Sequence, residues 1–315
     1  MRCLQKPVDC HNIIMCMTIK NKYRRIRVIV NPKSGLRWSF DTMRRALDKA
    51  WDISGNDLVY QFCQSGQDGY IKALRAIKEG VDTILVAGGD GTINTVGKAL
   101  VGTDAALGVI PAGSGNGFAR HFGIPLDPAK AVEVLAKSRI KKIDVGVVND
   151  RPFFVTCSMA WDASIAKGFA KSRIRGVLPY IFAGVNEFLE YEPQKIDVEI
   201  DSKEVIHFSD ALVFTIANMT QFGGGAKIAP HAQPDDGFLE LVSALHQDVP
   251  KLFTNIGKLF DGSLDELPEV ITRKFKELVV MRQKASPIQV DGELVDAPEK
   301  VYVRVIPSAL NVIVP

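Results

Sequence analysis

The chain has 315 residues and carries 39 lysine and arginine residues against 36 aspartate and glutamate residues. This length is enough for two domains with separate cores, and the nearly balanced charge gives no general reason to expect a nucleic-acid partner. No apolar run approaches the roughly 18 residues of a membrane-spanning helix, so we expect no transmembrane segment. The five cysteines lack the spacing of metal ligands, which predicts free thiols and a cytoplasmic protein.

The first residues carry little periodic pattern. Residues 1–18 do not have the form of a signal peptide, and Met17 is a credible start. We expect this stretch to be a disordered tail or a start placed too far upstream. The predicted first domain therefore begins at residue 19.

Strands and helices alternate from residue 26 to about residue 140. Short apolar, β-branched runs predict the strands, and apolar side chains at helical spacing predict the helices. The predicted strands are 26–30, 58–62, 83–87 and 107–110, and the predicted helices are 40–52, 68–79, 93–100, 118–122 and 129–137. This alternation indicates an open, mostly parallel, Rossmann-like α/β domain over residues 19–144.

Three glycine-containing loops follow strands of this domain, at residues 31–35, 88–91 and 113–117. The second loop reads Gly88-Gly89-Asp90-Gly91, and Thr92 is a predicted N-cap for the next helix. Glycines let the backbone approach an oxygen-rich ligand, and a helix N-terminus supplies N–H groups with partial positive charge. Because ligands bind beyond the carboxyl ends of parallel strands, we expect the three loops to converge on an anion.

The pattern changes after about residue 143. Short segments with alternating apolar side chains are separated by turns, which is typical of an antiparallel β-sandwich, here over residues 145–315. The predicted strands are 145–148, 153–157, 195–200, 211–217, 238–243, 277–281, 287–290 and 300–305, with helical stretches at 164–190 and 248–260.

Several short blocks occur in a fixed order between residues 31 and 293. They are Asn31–Gly35, Gly88–Asn94, Pro111–Asn116, Trp161–Ala163, Asn218 with Gly223–Gly225, Pro234–Gly237 and Asp291–Glu293. In this order they resemble the diacylglycerol kinase catalytic family, which includes bacterial lipid kinases and eukaryotic sphingosine and ceramide kinases. The resemblance implies an N-terminal α/β domain, a C-terminal β-sandwich and ATP in the cleft between them.

The resemblance also implies roles for individual residues in binding ATP. The residues expected to hold the triphosphate are Asn31, Pro32, Lys33, Ser34, Gly35, Gly88, Gly89, Asp90, Gly91, Thr92, Ile93, Asn94 and Ser114. Two positions near these loops depart from the family pattern. Cys63 stands where many members have a nucleotide-contacting threonine, and Gly117 stands where aspartate is common.

Further roles are implied in the second half of the chain. Asp162 matches an acid of the lipid site, although Trp161 before it departs from the usual glycine or phenylalanine. Gln233, Asp236 and Phe238 occupy the positions that bind a structural Mg²⁺ in bacterial members, the outer two through backbone carbonyls. Asp291 and Glu293 match the acidic pair near the γ-phosphate, from which the proton acceptor is drawn.

The residues alone leave alternatives at each acid. An extended segment would place Asp291 and Glu293 on the same side, with either as the general base, whereas Asp-Gly is also a strong hairpin signal. Asp90 could meet Mg²⁺, the acceptor hydroxyl or its own backbone. Asp162 could equally cap a helix, and Asp236 could simply form a turn.

The leading hypothesis is an ATP-dependent lipid kinase, a phosphotransferase whose acceptor is the hydroxyl of diacylglycerol or a related glycerolipid. The alternatives are an enzyme similar to NAD kinase and a non-catalytic regulator that binds lipid or nucleotide. The basic and aromatic stretch 167–182 predicts peripheral docking on anionic membranes, or else an ordinary amphipathic helix. The oligomeric state is open, with a homodimer among the alternatives.

Overall fold

The computed structural model describes residues 25–34, 40–51, 57–160, 194–245 and 254–315. Several predictions lie outside the described residues. They concern the tail at 1–18, Gly35, Trp161, Asp162, the helix 164–190 with its 167–182 segment, and the first part of the 248–260 helix.

The first domain is a parallel sheet flanked by helices. Its strands are β1 (Arg25–Val30), β2 (Asp57–Phe62), β3 (Thr83–Gly88) and β4 (Ala106–Pro111), in the order β2–β1–β3–β4. Its helices are α1 (Phe40–Ala50), α2 (Asp68–Lys78), α3 (Asp90–Leu100), α4 (Gly117–His121) and α5 (Pro128–Leu135). Every residue of β3 and β4 is buried, as parallel strands with helices on both faces require. The predicted α/β domain is confirmed.

The second half is built from antiparallel strands. They are β5 (Arg139–Val148), β6 (Arg151–Phe153), β7 (Thr156–Ser158), β8 (Gln194–Ile200), β9 (Glu204–Ala217), β10 (Leu239–Leu245), β11 (Val270–Phe275), β12 (Glu277–Arg282), β13 (Ile288–Val290), β14 (Glu293–Val295) and β15 (Lys300–Val314). The helix α6 (Lys258–Asp261) and a 3₁₀ turn (Leu264–Glu266) precede β11. The strands enclose their own core, which includes Phe208, Phe214 and Phe275. The predicted β-sandwich is confirmed.

The last strand joins the two halves. β15 pairs antiparallel with β12 and β5, and then runs parallel to β4, with Asn311 opposite Ala106. The predicted strand 300–305 stops too early. The register shifts between Ile306 and Leu310, and Ser308 within this bulge has φ of 51°, which lets the strand bend where it passes from the second half to the first domain.

The predicted strand 153–157 is interrupted in the structure. β6 ends at Phe153 and β7 begins at Thr156, because the N–H groups of Phe154 and Val155 donate to the carboxylate of Asp291 at 2.8 Å each. No helix in the described ranges is long and apolar enough to cross a membrane.

Candidate active site

The first two loops are joined through one hydroxyl. The side-chain amide of Asn31 donates to Oγ1 of Thr92 at 2.8 Å, and Oγ of Ser34 lies 3.4 Å from the same atom. The prediction of Thr92 as an N-cap is wrong, since α3 begins at Asp90 with Gly89 as its N-cap. A Cβ on Gly88 would lie 2.6 Å from Cβ of Thr92. Position 88 must therefore be a glycine for Thr92 to keep its place.

The second and third loops approach each other at backbone distance. A Cβ on Gly113 would lie 2.6 Å from Cα of Gly89, closer than any side chain tolerates. Asn116 closes the third loop, because its side-chain oxygen accepts from the Gly113 N–H at 2.9 Å and its amide donates to the Gly113 carbonyl at 2.8 Å. Asn116 has φ of 51°, the left-handed conformation that asparagine tolerates. The three predicted loops therefore converge.

Asp90 links the second loop to the short helix α4. Its Oδ2 accepts from the Gly117 N–H at 3.1 Å and its Oδ1 from the Phe118 N–H at 3.2 Å. Burial raises the pKa of Asp90, and these two N–H groups act in the opposite direction. The contacts make Asp90 a support for the third loop, and its catalytic role stays a prediction.

The other predicted phosphate-binding residues divide by exposure. Pro32, Lys33 and Ser114 lie on loop surfaces with exposed side chains, and the Lys33 N–H donates to Oδ1 of Asn31 at 3.0 Å. Ile93 and Asn94 differ, since both side chains are buried. The Ile93 N–H donates to the Gly89 carbonyl at 3.0 Å within the helix. A role for these two side chains in holding the triphosphate is therefore not supported by their placement.

The two acids of the second domain lie on a tight hairpin. Val290 pairs with Glu293, and the two residues between them have positive φ, 48° at Asp291 and 89° at Gly292. This is the backbone of a two-residue hairpin loop of type I′. Of the two alternatives that the residues left open, the hairpin is the one observed, and the extended segment with both acids on one side is not. Asp291 is buried, whereas Glu293 is exposed.

Asp291 accepts four hydrogen bonds inside the protein. Its Oδ1 accepts from the N–H groups of Val155 and Thr156 at 2.8 and 3.1 Å, and its Oδ2 accepts from the Phe154 N–H at 2.8 Å. The side-chain amide of Asn94 on α3 donates to Oδ2 at 2.6 Å. Burial raises the pKa of Asp291 to about 6, although the donors favour its charged form. The Asn94 bond ties the hairpin to the first domain, and the other three bonds hold it to the segment between β6 and β7.

Glu293 is presented to the second glycine loop. Its Oε1 lies 3.5 Å from the position that a Cβ on Gly91 would take. The turn directs Asp291 inward and leaves the Glu293 carboxylate next to the first turn of α3. Of the two predicted proton acceptors, Glu293 is the one that faces the glycine loops.

The predicted metal residues share one small pocket. Gln233, Asp236 and Phe238 line it together with Glu240 and Lys274. The Lys274 ammonium lies 2.6 Å from Oδ2 of Asp236, and Oδ1 of Asp236 accepts from the Phe238 N–H at 3.0 Å. Burial raises the pKa of Glu240, and no described residue forms a hydrogen bond with its Oε2.

This donor set fits a hard cation such as Mg²⁺, which prefers carboxylate and carbonyl oxygens and keeps several water ligands. Within the described ranges, no three His, Cys, Asp or Glu side chains gather in a way that could hold a metal ion. A cation in this pocket would therefore use two carboxylates together with amide or backbone oxygens.

Two residues that the residue patterns did not mark hold the domains together. Asp144 is buried, and its carboxylate accepts from the N–H groups of Gly237 and Ser308 at 2.7 Å each. His121 of α4 accepts from the Thr220 N–H at 3.3 Å, and burial followed by the charge of Lys141 lowers its pKa to about 4. Their partners are distant in sequence, so no local pattern marks either residue.

The comparisons with known proteins agree with this architecture. The family model described as the diacylglycerol kinase catalytic domain matches residues 25–148, and the YegS C-terminal NAD kinase beta sandwich-like domain matches residues 156–314. The chain belongs to the diacylglycerol kinase catalytic-domain family. Members of this family are kinases that phosphorylate an alcohol acceptor, and the chain is an enzyme of that class.

Individual relatives match this chain over most of its length. A diacylglycerol kinase of Mycobacterium tuberculosis strain H37Rv is 28% identical over 304 residues, covering 94% of this chain and 97% of the relative. A diacylglycerol kinase of Staphylococcus carnosus is 28% identical over 277 residues, covering 86% and 89%. The crystal structure of a diacylglycerol kinase from Bacillus anthracis has a TM-score of 0.74 at 21% identity, covering 94% and 98%, and it supports the fold.

The family departure at Gly117 has a structural reason in this chain. A Cβ there would lie 3.0 Å from the Gln221 carbonyl oxygen and 3.1 Å from the Phe222 carbonyl oxygen. The Gly224 N–H donates to the Gly115 carbonyl at 2.9 Å, which seats the second domain against the third loop. Any side chain at position 117 would therefore bring its Cβ tightly against two carbonyl oxygens.

Proposed function

We propose that this kinase is ATP-dependent and transfers the γ-phosphate of ATP to the hydroxyl of diacylglycerol or a related glycerolipid. The observation that supports this most directly is the position of Glu293 beside Gly91, where an acid of the second domain meets the loops of the first. A groove with phosphate-binding loops on one wall and a carboxylate on the other suits phosphoryl transfer to a hydroxyl.

The three loops would hold the triphosphate of ATP. The glycine backbone at Gly89 and Gly113 permits close approach of phosphate oxygens, and the N-terminus of α3 favours negative charge. The exposed Lys33 and Ser114 side chains could add an ammonium and a hydroxyl from the first and third loops. Asn31 and Thr92 would act indirectly, by fixing the first loop against the second.

Glu293 would accept the proton of the lipid hydroxyl. The hydroxyl oxygen then forms a bond to the γ-phosphorus, and the bond between that phosphorus and the β–γ bridging oxygen breaks to release ADP. Asp291 would position the hairpin through its four hydrogen bonds and remain inside the protein. Mg²⁺ bound with ATP would neutralise phosphate charge, and a structural Mg²⁺ would be held at Gln233, Asp236 and Phe238.

The direct test is to incubate the protein with Mg²⁺ and γ-labelled ATP in the presence of one acceptor at a time. The acceptors are diacylglycerol, phosphatidylglycerol, a sphingoid base and NAD. We expect label on a glycerolipid, and loss of that label in Glu293→Gln. Label on NAD alone would contradict the lipid acceptor, and label on nothing would favour a binding role.

We also propose that catalysis takes place at a membrane surface, because the proposed acceptor is a lipid. Vesicle sedimentation with neutral and anionic lipids tests this directly. Analytical ultracentrifugation decides between a monomer and a homodimer.

A further inference from the structure

The pocket around Asp236 contains a second, deeply buried carboxyl group. Glu240 is only 6% exposed, and its Oε2 has no hydrogen-bond partner among the residues that the structure describes. Burying a carboxylate oxygen without a hydrogen-bond donor costs folding free energy, so the position of this oxygen requires an explanation. Lys274 also lines the pocket, and its ammonium bonds to Asp236.

The strand register places Glu240 and Lys274 side by side. Glu240 of β10 lies directly opposite Lys274 of β11, and residues opposite each other in an antiparallel pair share a face. Lys274 therefore neighbours Glu240 on the sheet, whereas its ammonium bonds to Asp236. Among the residues that the structure describes, the pocket lining therefore offers two carboxyl groups, Asp236 and Glu240, and one ammonium, that of Lys274.

We propose that Glu240 is a further ligand of the divalent cation, and that Lys274 competes with this cation for the Asp236–Glu240 pair. Without the cation, Lys274 neutralises Asp236. When the cation binds, it contacts both carboxylates, and the ammonium moves out toward solvent because it would be repelled. The half-exposed Lys274 side chain has room for this movement.

The inference rests on the magnesium part of the proposed function. It adds a ligand, Glu240, and an exchange of one cation for another within the pocket. The loop that carries Asp236 is also tied to the domain junction, since the Asp144 N–H donates to the Pro234 carbonyl at 2.6 Å. Cation exchange at this loop would therefore act on the contact between the two domains.

The test is a titration with Mn²⁺ in the absence of ATP and lipid, with free Mn²⁺ measured by electron paramagnetic resonance. Glu240→Gln should weaken Mn²⁺ binding by about tenfold or more, because one charged ligand is lost. Lys274→Met should tighten binding by roughly threefold to tenfold, because the competing charge is removed. Mg²⁺ added to the wild-type protein should displace Mn²⁺.

Matched controls separate these effects from a general change of surface charge. Arg273→Met removes the neighbouring positive charge, which pairs with Glu204 at 3.3 Å, and should leave Mn²⁺ affinity unchanged. Glu277→Gln removes an exposed carboxylate and should do the same. Circular dichroism with EDTA present confirms that each variant is folded.

Each outcome has a defined meaning. Unchanged affinity in Glu240→Gln, with binding lost in Asp236→Asn, would overturn the ligand role of Glu240. Weaker or unchanged Mn²⁺ binding in Lys274→Met would overturn the competition between Lys274 and the cation. If the wild-type protein binds no Mn²⁺, the pocket is a Lys274–Asp236 ion pair and the proposal is wrong. The Mn²⁺ titration contains no ATP or lipid, so its result does not depend on the lipid-labelling assay. A failure of the cation proposal can therefore be distinguished from a failure of the proposed kinase activity.

Discussion

The side-chain amide of Asn94 on α3 donates a 2.6 Å hydrogen bond to the carboxylate of Asp291 in the hairpin between β13 and β14. This contact connects the helix that follows the glycine loop with the turn that carries Glu293. Asp291 is an acceptor only, and all four donors around it point at its two oxygens. The two neighbouring acids thus have different environments, which predicts different consequences for their substitution.

Asp291→Asn should destabilise the protein, whereas Glu293→Gln should leave its stability nearly unchanged. The amide group of an asparagine at 291 would face N–H donors, and we expect a loss of about 2–4 kcal/mol in the free energy of unfolding. Loss of the proton acceptor at the exposed position 293 should lower kcat by roughly 10²- to 10⁴-fold. Urea denaturation and lipid kinase assays measure the two effects. Equal destabilisation by both changes would refute the division of roles.

The close approach of the second and third loops predicts a sensitive glycine. In Gly113→Ala the new Cβ would lie 2.6 Å from Cα of Gly89, so the loops must separate. We expect a rise in KM for ATP of about tenfold and a destabilisation of roughly 1–3 kcal/mol. Gly66→Ala is the matched control, because a Cβ there meets no atom of the described residues within 4 Å. An unchanged KM in Gly113→Ala would mean that loop spacing does not govern ATP binding.

The buried histidine at the domain junction predicts a pH dependence of stability. His121 has its pKa lowered to about 4, against an ordinary value near 6.5, so the unfolded chain takes up the proton first as pH falls. Stability is therefore lost from about pH 6.5 down to pH 4, by at most about 3 kcal/mol from this group. His121→Asn removes the titrating ring while keeping an acceptor for Thr220. Its unfolding free energy should fall less than that of the wild-type protein between pH 7 and pH 5, and parallel curves would contradict this assignment.

Sequence patterns predicted the glycine loops and the α/β domain because the residues that form each strand, loop and helix are neighbours in the sequence. A buried strand such as β3, the glycines after it and the helix α3 are contiguous in the sequence. The role of Asp291 could not be predicted in this way. Its donors Phe154 and Asn94 lie 137 and 197 residues away along the chain. Asp-Gly did signal the hairpin, but only the folded chain separates the buried acid from the exposed one.

The residue patterns left open whether the final segment, Ser308–Pro315, returns to the first domain, for a related reason. Its pairing with β4 joins Asn311 to Ala106, and the bend between the sheets is located at Ser308. A serine in the left-handed conformation carries no strong sequence signal. The parallel pairing of two strands as far apart in sequence as β4 and β15 leaves no local sequence signal either. The position of Lys274 opposite Glu240 is equally a product of strand register, and its ammonium reaches Asp236 in the turn before β10.

The hydroxyl shared by the first two loops predicts a binding defect that can be distinguished from lost stability. Thr92→Val keeps the shape of the side chain and removes the acceptor for Asn31, so the first loop loses its 2.8 Å link to α3. We expect a loss of about 1 kcal/mol in stability and a severalfold rise in KM for ATP. Thr103→Val is the matched control, because its hydroxyl donates to the Leu100 carbonyl at 2.9 Å at the opposite end of α3. It should cost similar stability without changing KM, and equal KM values in both variants would show that the Asn31–Thr92 contact does not shape the ATP site.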